Sequence, residues 1–435
     1  MQTATEKRGL DVMGDGETAL IIRRGPCTYD SRILREADTL QRLGYRPLIL
    51  GVVSEKVHER HSVVEGHQII RLAPTSPFSW IRARLPKPAS ARPSSEQGRG
   101  LGPGRAMGLA IRLHRWIRTL DFYRRAIRVV REQRPALIHC NDYNTMWVGV
   151  AARAMRGIAV LYDSHELWPD RNLRPEPRWW LLACESLFVR CAHRVITASP
   201  GYAEVISHRY RIERPKVVRN IPVSNSGEGG GAPAGNSAET APVGEDQLAL
   251  YVGALTSGRG IEISIQALAR LSDARLRLVG PARDEYLAGL QELARTEGVA
   301  DRVEFTGAVP PEKLLETIAE ASVGLALIQP VCLSYEMSLP NKLFEYVAAG
   351  IPVLGSDIPA IGALVREHEI GLVAQPDQAG DVASKLSAML DPDRNAAFRI
   401  AIRKAARSLN WATESQLLAA AYTETAMAAR QQPQH

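Results

Sequence analysis

Short apolar runs alternate with segments of helical periodicity along most of the chain. Residues 19–23 read as a strand, 32–43 as a helix closed by Gly44, and 47–53 and 68–72 as two further strands. Strands over 136–139, 158–162 and 194–197 continue the series. The alternation restarts at 248, with strands over 248–255, 276–279, 303–306, 323–327 and 353–355. Helices over 261–271, 286–296, 314–321 and 342–349 lie between or beside them. This order implies right-handed crossovers and parallel sheets, an α/β fold of two Rossmann-like halves. Ligands of such sheets bind beyond the carboxyl ends of the strands, so two sheets facing each other would share one cleft.

Two segments break the pattern. Residues 81–107 are rich in proline, glycine, serine and arginine and read as a mobile basic surface loop, followed by a strongly basic helix over 109–131. Residues 223–246, which include Gly229, Gly230 and Gly231, read as a flexible linker. The expected organisation is an N-terminal domain over 1–222, the linker over 223–246, a C-terminal domain over 247–410 and a last segment over 411–435.

Composition adds limits. A chain of 435 residues, 45% hydrophobic and 23% charged, suits two soluble cores of roughly 200 residues each. No stretch reaches the roughly 18 uncharged apolar residues of a membrane span, and the first twenty residues lack the apolar core of a signal peptide. The expected location is the cytoplasm, with peripheral contact at the inner face of the plasma membrane as a further expectation. The cysteines Cys27, Cys140, Cys184, Cys191 and Cys332 have no metal-ligand or redox spacing. Charge is uneven: residues 1–220 carry a net +16 and residues 221–435 a net −9. The basic half fits an anionic acceptor or an anionic lipid surface, or simply solvated helix faces. Nucleic acid is not among the expected partners.

Four clusters carry candidate chemistry. Gly253 to Gly260 follows a strand and opens a helix. Its glycines admit a close ligand, the helix start favours an anion, and Arg259 offers a fork of donors to phosphate oxygens. The segment from Ser338 to Pro352 holds a helix with Pro340 at its start and Gly350 just past its end. There Lys342 sits where the helix dipole opposes a cation, a penalty that an anionic ligand would reverse. Glu345, one turn on, suits the paired hydroxyls of a ribose; an ordinary i,i+3 ion pair is the plainer reading. In the first half, Asn141 and Asp142 end one strand, and His165 and Glu166 end the next, where they could bind sugar hydroxyls. His139 reads as a buried strand histidine. Asp30, between the first strand and helix, is a candidate ligand residue or a helix cap. Asp391, Pro392 and Asp393 form the one Asp-x-Asp and read as a helix-capping turn, so no metal site and no cofactor are expected.

These clusters, in this order, resemble the retaining glycosyltransferases of family 4, the group 1 glycosyltransferases of GT-B fold. The segment Pro340-Asn341-Lys342-Leu343-Phe344-Glu345-Tyr346 is the most specific motif, and the Gly253 loop with Arg259, the run from Tyr162 to Trp168, and Trp411 also fit. The resemblance implies a metal-independent, retaining transfer of a sugar from a nucleotide-sugar donor, with UDP the expected nucleotide. The acceptor would be a glycan, a lipid-linked molecule or another hydroxyl compound, in polysaccharide biosynthesis. It implies that Gly253, Arg259, Asn341, Lys342, Leu343 and Glu345 bind the donor. Arg259, Lys342 and His165 would be catalytic, with Asp30, Asn141, Asp142, His165 and Glu166 on the acceptor. The final helix would return to the N-terminal domain. Met337, Ala254 and Asn141 stand where relatives often carry Glu, Arg and His. A catalytically inactive partner subunit and a sugar-nucleotide epimerase of the same fold are the rival expectations.

Overall fold

The computed structural model describes residues 14–28, 30–54, 56–73, 104–172, 176–223 and 247–431. The expected linker, apart from its first residue, and all but the end of the expected basic loop lie outside the described residues.

The first sheet has the order β3-β4-β2-β1-β5-β6-β7-β8. Its strands are β1 (Thr18–Ile22), β2 (Arg46–Val52), β3 (His61–Val64), β4 (His67–Leu72), β5 (Leu137–Asn141), β6 (Ala159–Ser164), β7 (Arg194–Thr197) and β8 (Lys216–Val217). The helices are α1 (Ser31–Arg42), α2 (Gly104–Gln133), α3 (Met146–Arg156), α4 (Arg178–Cys191) and α5 (Pro200–Tyr210). Every residue of β1 is buried, because β1 pairs in parallel with β2 on one side and β5 on the other. A strand covered on both faces reads as a continuous apolar run, which is why Ala19 to Ile22 shows no alternation. One pairing departs from the all-parallel expectation. β3 runs antiparallel to β4, joined by Glu65 and Gly66, both in the left-handed region. This two-residue turn with positive φ at both centres has the hairpin twist that adjacent strands require.

The second sheet has the order β11-β10-β9-β12-β13-β14 and is parallel throughout its paired strands. Its strands are β9 (Leu248–Val252), β10 (Arg275–Val279), β11 (Val303–Gly307), β12 (Val323–Ala326), β13 (Val353–Ser356) and β14 (Gly371–Ala374). The intervening helices are α6 (Ile261–Leu268), α7 (Asp284–Thr296), α8 (Pro311–Ala319), α9 (Leu333–Glu336), α10 (Asn341–Ala349), α11 (Pro359–His368) and α12 (Ala379–Leu390). Helices α13 (Pro392–Ala405) and α14 (Trp411–Arg430) close the chain. Alternation along β9 feeds two cores: Ala249 and Tyr251 join α6 and α12 on one face, and Leu248, Leu250 and Val252 join α10 and α11 on the other. Asp391 caps α13 by accepting from the Arg394 N–H at 3.0 Å, as its turn context predicts.

By internal contacts the chain groups into two compact units. One holds the residues up to Tyr162 with Cys191–His193 and the chain end from Thr425; the other holds Asp163–Arg190 and Arg194–Glu424. Within the second unit α14 is pinned by Glu414, whose carboxylate takes both the backbone and the side chain of Arg219, and by Glu424, which pairs with Lys216 and Arg194. All five cysteines are free thiols. No helix of the described residues is long and apolar enough to cross a membrane.

Candidate functional site

The site in the second unit is built at the carboxyl end of β9. Gly253 follows that strand with φ +122°, and a Cβ there would stand 3.5 Å from the Lys342 Nζ. Gly260, at φ +77°, begins α6, and a Cβ on it would meet the Leu327 carbonyl oxygen at 2.0 Å. Only glycine fits both the dihedral and the space, so the loop carrying Arg259 lies tight against the end of β12. Pro340 is in an extended conformation before α10, and Gly350 takes the left-handed region after it. The apolar face of α10, Leu343, Phe344 and Val347, enters the core, as does Tyr346. The Tyr346 hydroxyl accepts from the Val252 N–H at 3.1 Å and lies 3.1 Å from the Leu325 carbonyl oxygen, so it ties α10 to β9 and β12. This anchoring fixes where Lys342, in the first turn, must point.

Lys342 is 8% exposed, and its Nζ has no hydrogen-bond partner. The ammonium stands over the Tyr251 ring, 3.3 Å from its centroid. Burial and then the neighbouring Arg259 push its pKa well below the ordinary lysine value, against a smaller opposing pull from Glu345. Arg259 lies half-buried over the Tyr335 ring at 4.5 Å, with no ion pair to an acid among the described residues. Arg259 is thus close enough to disfavour the charge on Lys342, and among the described residues neither cation is neutralised by a contacting carboxylate. Such a pair is a ready receptor for a polyanion. Glu345 is partly buried one turn beyond Lys342, Leu343 is buried in the core and Asn341 is exposed at the helix start.

His165 and Glu166 follow the end of β6. The His165 Nε2 lies 2.9 Å from an oxygen of the fully buried Asp163, which fixes the ring. Glu166 pairs with Arg171 at 3.1 Å. The Tyr202 hydroxyl feels the charges of both Glu166 and Arg259, so these two parts of the second unit share one electrostatic neighbourhood.

Asp30, Asn141 and Asp142 form a set of their own in the first unit. Arg23, at the end of β1, donates from Nε to Asp30 at 3.0 Å and from Nη1 to Asp142 at 2.8 Å. Asp30 occupies the cap position of α1 but makes no side-chain cap bond there; its carboxylate goes to Arg23 instead. Asp142 holds φ +66°, a strained value for a residue with a side chain. Asn141 donates to the buried Glu36 at 2.9 Å. His139 is fully buried in β5, 3.7 Å from the same carboxylate, in agreement with its reading as a strand histidine.

The sequence pointed to Arg259, Lys342, His165, Asp30 and Asp142 but not to the residues that hold them: Tyr335, Tyr251, Asp163 and, for both aspartates, Arg23. Tyr251 and Arg23 did carry a signal, since Tyr251 is the last residue but one of β9 and Arg23 follows β1, strands that lead into candidate loops. Tyr335 carried none.

Comparisons with known proteins place these features. Residues 29–221 match the family described as "Glycosyl transferase 4-like domain", and residues 246–392 match "Glycosyl transferases group 1". D-inositol 3-phosphate glycosyltransferase of Streptomyces scabiei is 28% identical over 308 residues, which covers 66% of this chain and 67% of that protein. The enzyme of the same name from Rhodococcus jostii is 24% identical, covering 63% of each. Among solved structures, sucrose-phosphate synthase of Thermosynechococcus elongatus aligns with TM-score 0.73 at 18% identity, covering 94% of this chain and 98% of that one. HepE of Anabaena in complex with UDP aligns with TM-score 0.66 at 15% identity, covering 94% and 99%. With both halves matched and the GT-B fold shared, the chain belongs to the group 1 glycosyltransferases, of family 4-like type.

Proposed function

We propose that this protein transfers a sugar from a nucleotide-sugar donor to an acceptor hydroxyl, with retention and without a metal ion, and that Arg259 and Lys342 hold the donor's diphosphate. The observation that carries this reading is the buried Lys342 ammonium, without a hydrogen-bond partner and beside a second cation. A buried, unpartnered cation is costly, and an arriving diphosphate would offset that cost. HepE of Anabaena has been crystallised with UDP-glucose, which supports a nucleotide sugar as the donor class.

In the proposed reaction the bond from the anomeric carbon to the phosphate oxygen breaks. The bond to the acceptor oxygen forms on the same face of the sugar. The acceptor proton passes to the departing phosphate, so no protein base is required. Arg259 and Lys342 stabilise the charge that grows on the leaving oxygens, the term that dominates sites of this kind. Glu345 accepts from the ribose, His165 binds a sugar hydroxyl with its ring held by Asp163, and Gly253, Asn341 and Leu343 shape the donor pocket. Asp30, Asn141, Asp142 and Glu166 are assigned to the acceptor. An acceptor bearing negative charge fits the net +16 of residues 1–220 and the inositol 3-phosphate in the name of the similar enzymes. Peripheral contact with anionic lipid is supported by α4, where Trp179, Trp180, Ala183 and Leu187 are exposed on one side while its one carboxylate, Glu185, is buried.

A thermal-shift screen of UDP, GDP and their sugar conjugates tests the donor assignment, because stabilisation follows RT ln(1 + [L]/Kd). At least one nucleotide sugar should raise the melting temperature of the wild-type chain and not that of Lys342→Ala. Equal shifts in both proteins would remove Lys342 from the donor site.

A further inference from the structure

Several cations in this protein are fixed by acids. Arg23 lies between Asp30 and Asp142, Arg277 between Glu304 and Glu320, and Asp170 holds Arg178 and Arg209. Arg259 and Lys342 are held differently. Each rests on the face of a tyrosine ring, Tyr335 at 4.5 Å and Tyr251 at 3.3 Å. A ring face attracts a cation through its quadrupole and orients it, but it removes no net charge. A carboxylate in the same place would orient the cation equally well and cancel the field that an anion needs.

Both rings are themselves held. Tyr251 is buried in β9, and its hydroxyl donates to the Ala254 carbonyl at 2.9 Å. Burial keeps that phenol protonated by raising its pKa, so no phenolate forms under the ammonium. Tyr335 sits on α9, a helix of one turn that would be loose alone. It is clamped from α5: the Tyr202 hydroxyl donates to the Ser334 carbonyl at 2.8 Å, and the Ser199 hydroxyl donates to the Met337 carbonyl at 2.6 Å. Tyr335 also lies against Gly258, where a Cβ would stand 3.5 Å from its ring, so the ring packs beneath the loop that carries Arg259.

We infer that Tyr251 and Tyr335 are positioning residues of the diphosphate site, fixing Lys342 and Arg259 on aromatic faces so that both cations are preorganised yet unneutralised, and that Ser199 and Tyr202 hold the Tyr335 platform in place. The inference rests on the reading of Arg259 and Lys342 as diphosphate ligands.

The test uses the full chain and, as probe, UDP or GDP, whichever stabilises the wild-type protein more, with the matching uncharged nucleoside as reference. Tyr335→Leu and Tyr251→Leu should each weaken the nucleoside diphosphate about tenfold, as loss of a desolvated cation–ring contact implies, and leave nucleoside affinity unchanged. Tyr335→Phe and Tyr251→Phe keep the ring and should restore the diphosphate-to-nucleoside ratio. Ser199→Ala combined with Tyr202→Phe should lower that ratio as Tyr335→Leu does, because it frees the same loop. Should the Leu variants lose both ligands equally, the rings are only structural and the inference is overturned. It is overturned too if Phe behaves like Leu, or if the Leu variants keep the wild-type ratio. Should Lys342→Ala and Arg259→Ala themselves keep the wild-type ratio, the diphosphate reading fails first.

Discussion

Arg23 in the first unit and the Arg259–Lys342 pair in the second are both partly or wholly buried cations at the ends of strands, yet they sit in opposite electrostatic states. Burial pulls the Arg23 pKa down, but Asp142 and then Asp30 more than compensate, and it ends above its ordinary value. Burial and Arg259 leave Lys342 far below its own. The first arrangement is internally satisfied and contributes to holding the loops after β1 and β5 together. The second is left incomplete by the protein alone. Where a fold tolerates an unsatisfied buried charge, the deficit points to a ligand, while a satisfied cluster of the same residue types points to scaffold or to a more modest contact.

The contrast can be broken in several ways. The largest effect belongs to Lys342→Ala, which should lower turnover by about a hundred- to a thousandfold, as loss of one oxyanion-stabilising donor does elsewhere. Steady-state transfer assays measure it, and circular dichroism should show an unchanged fold. Arg23→Met should act on stability instead. It strands Asp30 and Asp142 and should cost about 2 kcal/mol, below the full value for a deeply buried pair because Arg23 is partly solvated. The shift in urea midpoint reads that loss, and nucleoside diphosphate affinity should stay within about twofold of wild type.

Lys342→Met tests the other side. Removing an unpartnered buried ammonium should leave the ligand-free protein as stable as wild type or up to about 1 kcal/mol more stable, while binding of the diphosphate is lost. A clear destabilisation would mean that the ammonium is satisfied in the free protein. The smallest effect is the pH dependence. Because Lys342 is depressed in the folded state, the unfolded chain binds the extra proton between that depressed value and the ordinary 10.5. Stability of the ligand-free protein should therefore rise with pH in that window, at most about 1.4 kcal/mol per pH unit. The slope should vanish in Lys342→Met and with saturating diphosphate. It is best read from urea midpoints taken upward in pH to just below the range where tyrosines ionise.

Much of the fold was legible because its cause is local. Continuous apolar runs such as 248–252 and 353–355 are what strands buried on both faces must be, and Pro340 and Gly350 bracket α10 as an extended start and a left-handed end require. Boundaries moved where side-chain pattern and backbone geometry diverge: the helix expected over 261–271 is helical only over Ile261–Leu268, and the strand expected over 248–255 stops at Val252 before the turn at Gly253. The antiparallel β3 was not foreseen, since the Glu65-Gly66 turn lacks the usual Asn-Gly or Asp-Gly signature. Asp30 looked as much like a helix cap as a ligand residue. What decides its role is Arg23, seven residues earlier, which no helix-start rule considers.

The sequence by itself determined the α/β alternation, the two candidate loops and the identity of the two cations, because strand burial, helix ends and glycine-dependent turns are written in neighbouring residues. Only the tertiary structure decided that Lys342 is buried without a hydrogen-bond partner, that Arg259 is near enough to lower its pKa, and that Tyr251 and Tyr335 lie beneath them. Those facts depend on distances between elements as much as ninety residues apart, and the free energy of a charge is set by what surrounds it in space and not by its neighbours along the chain.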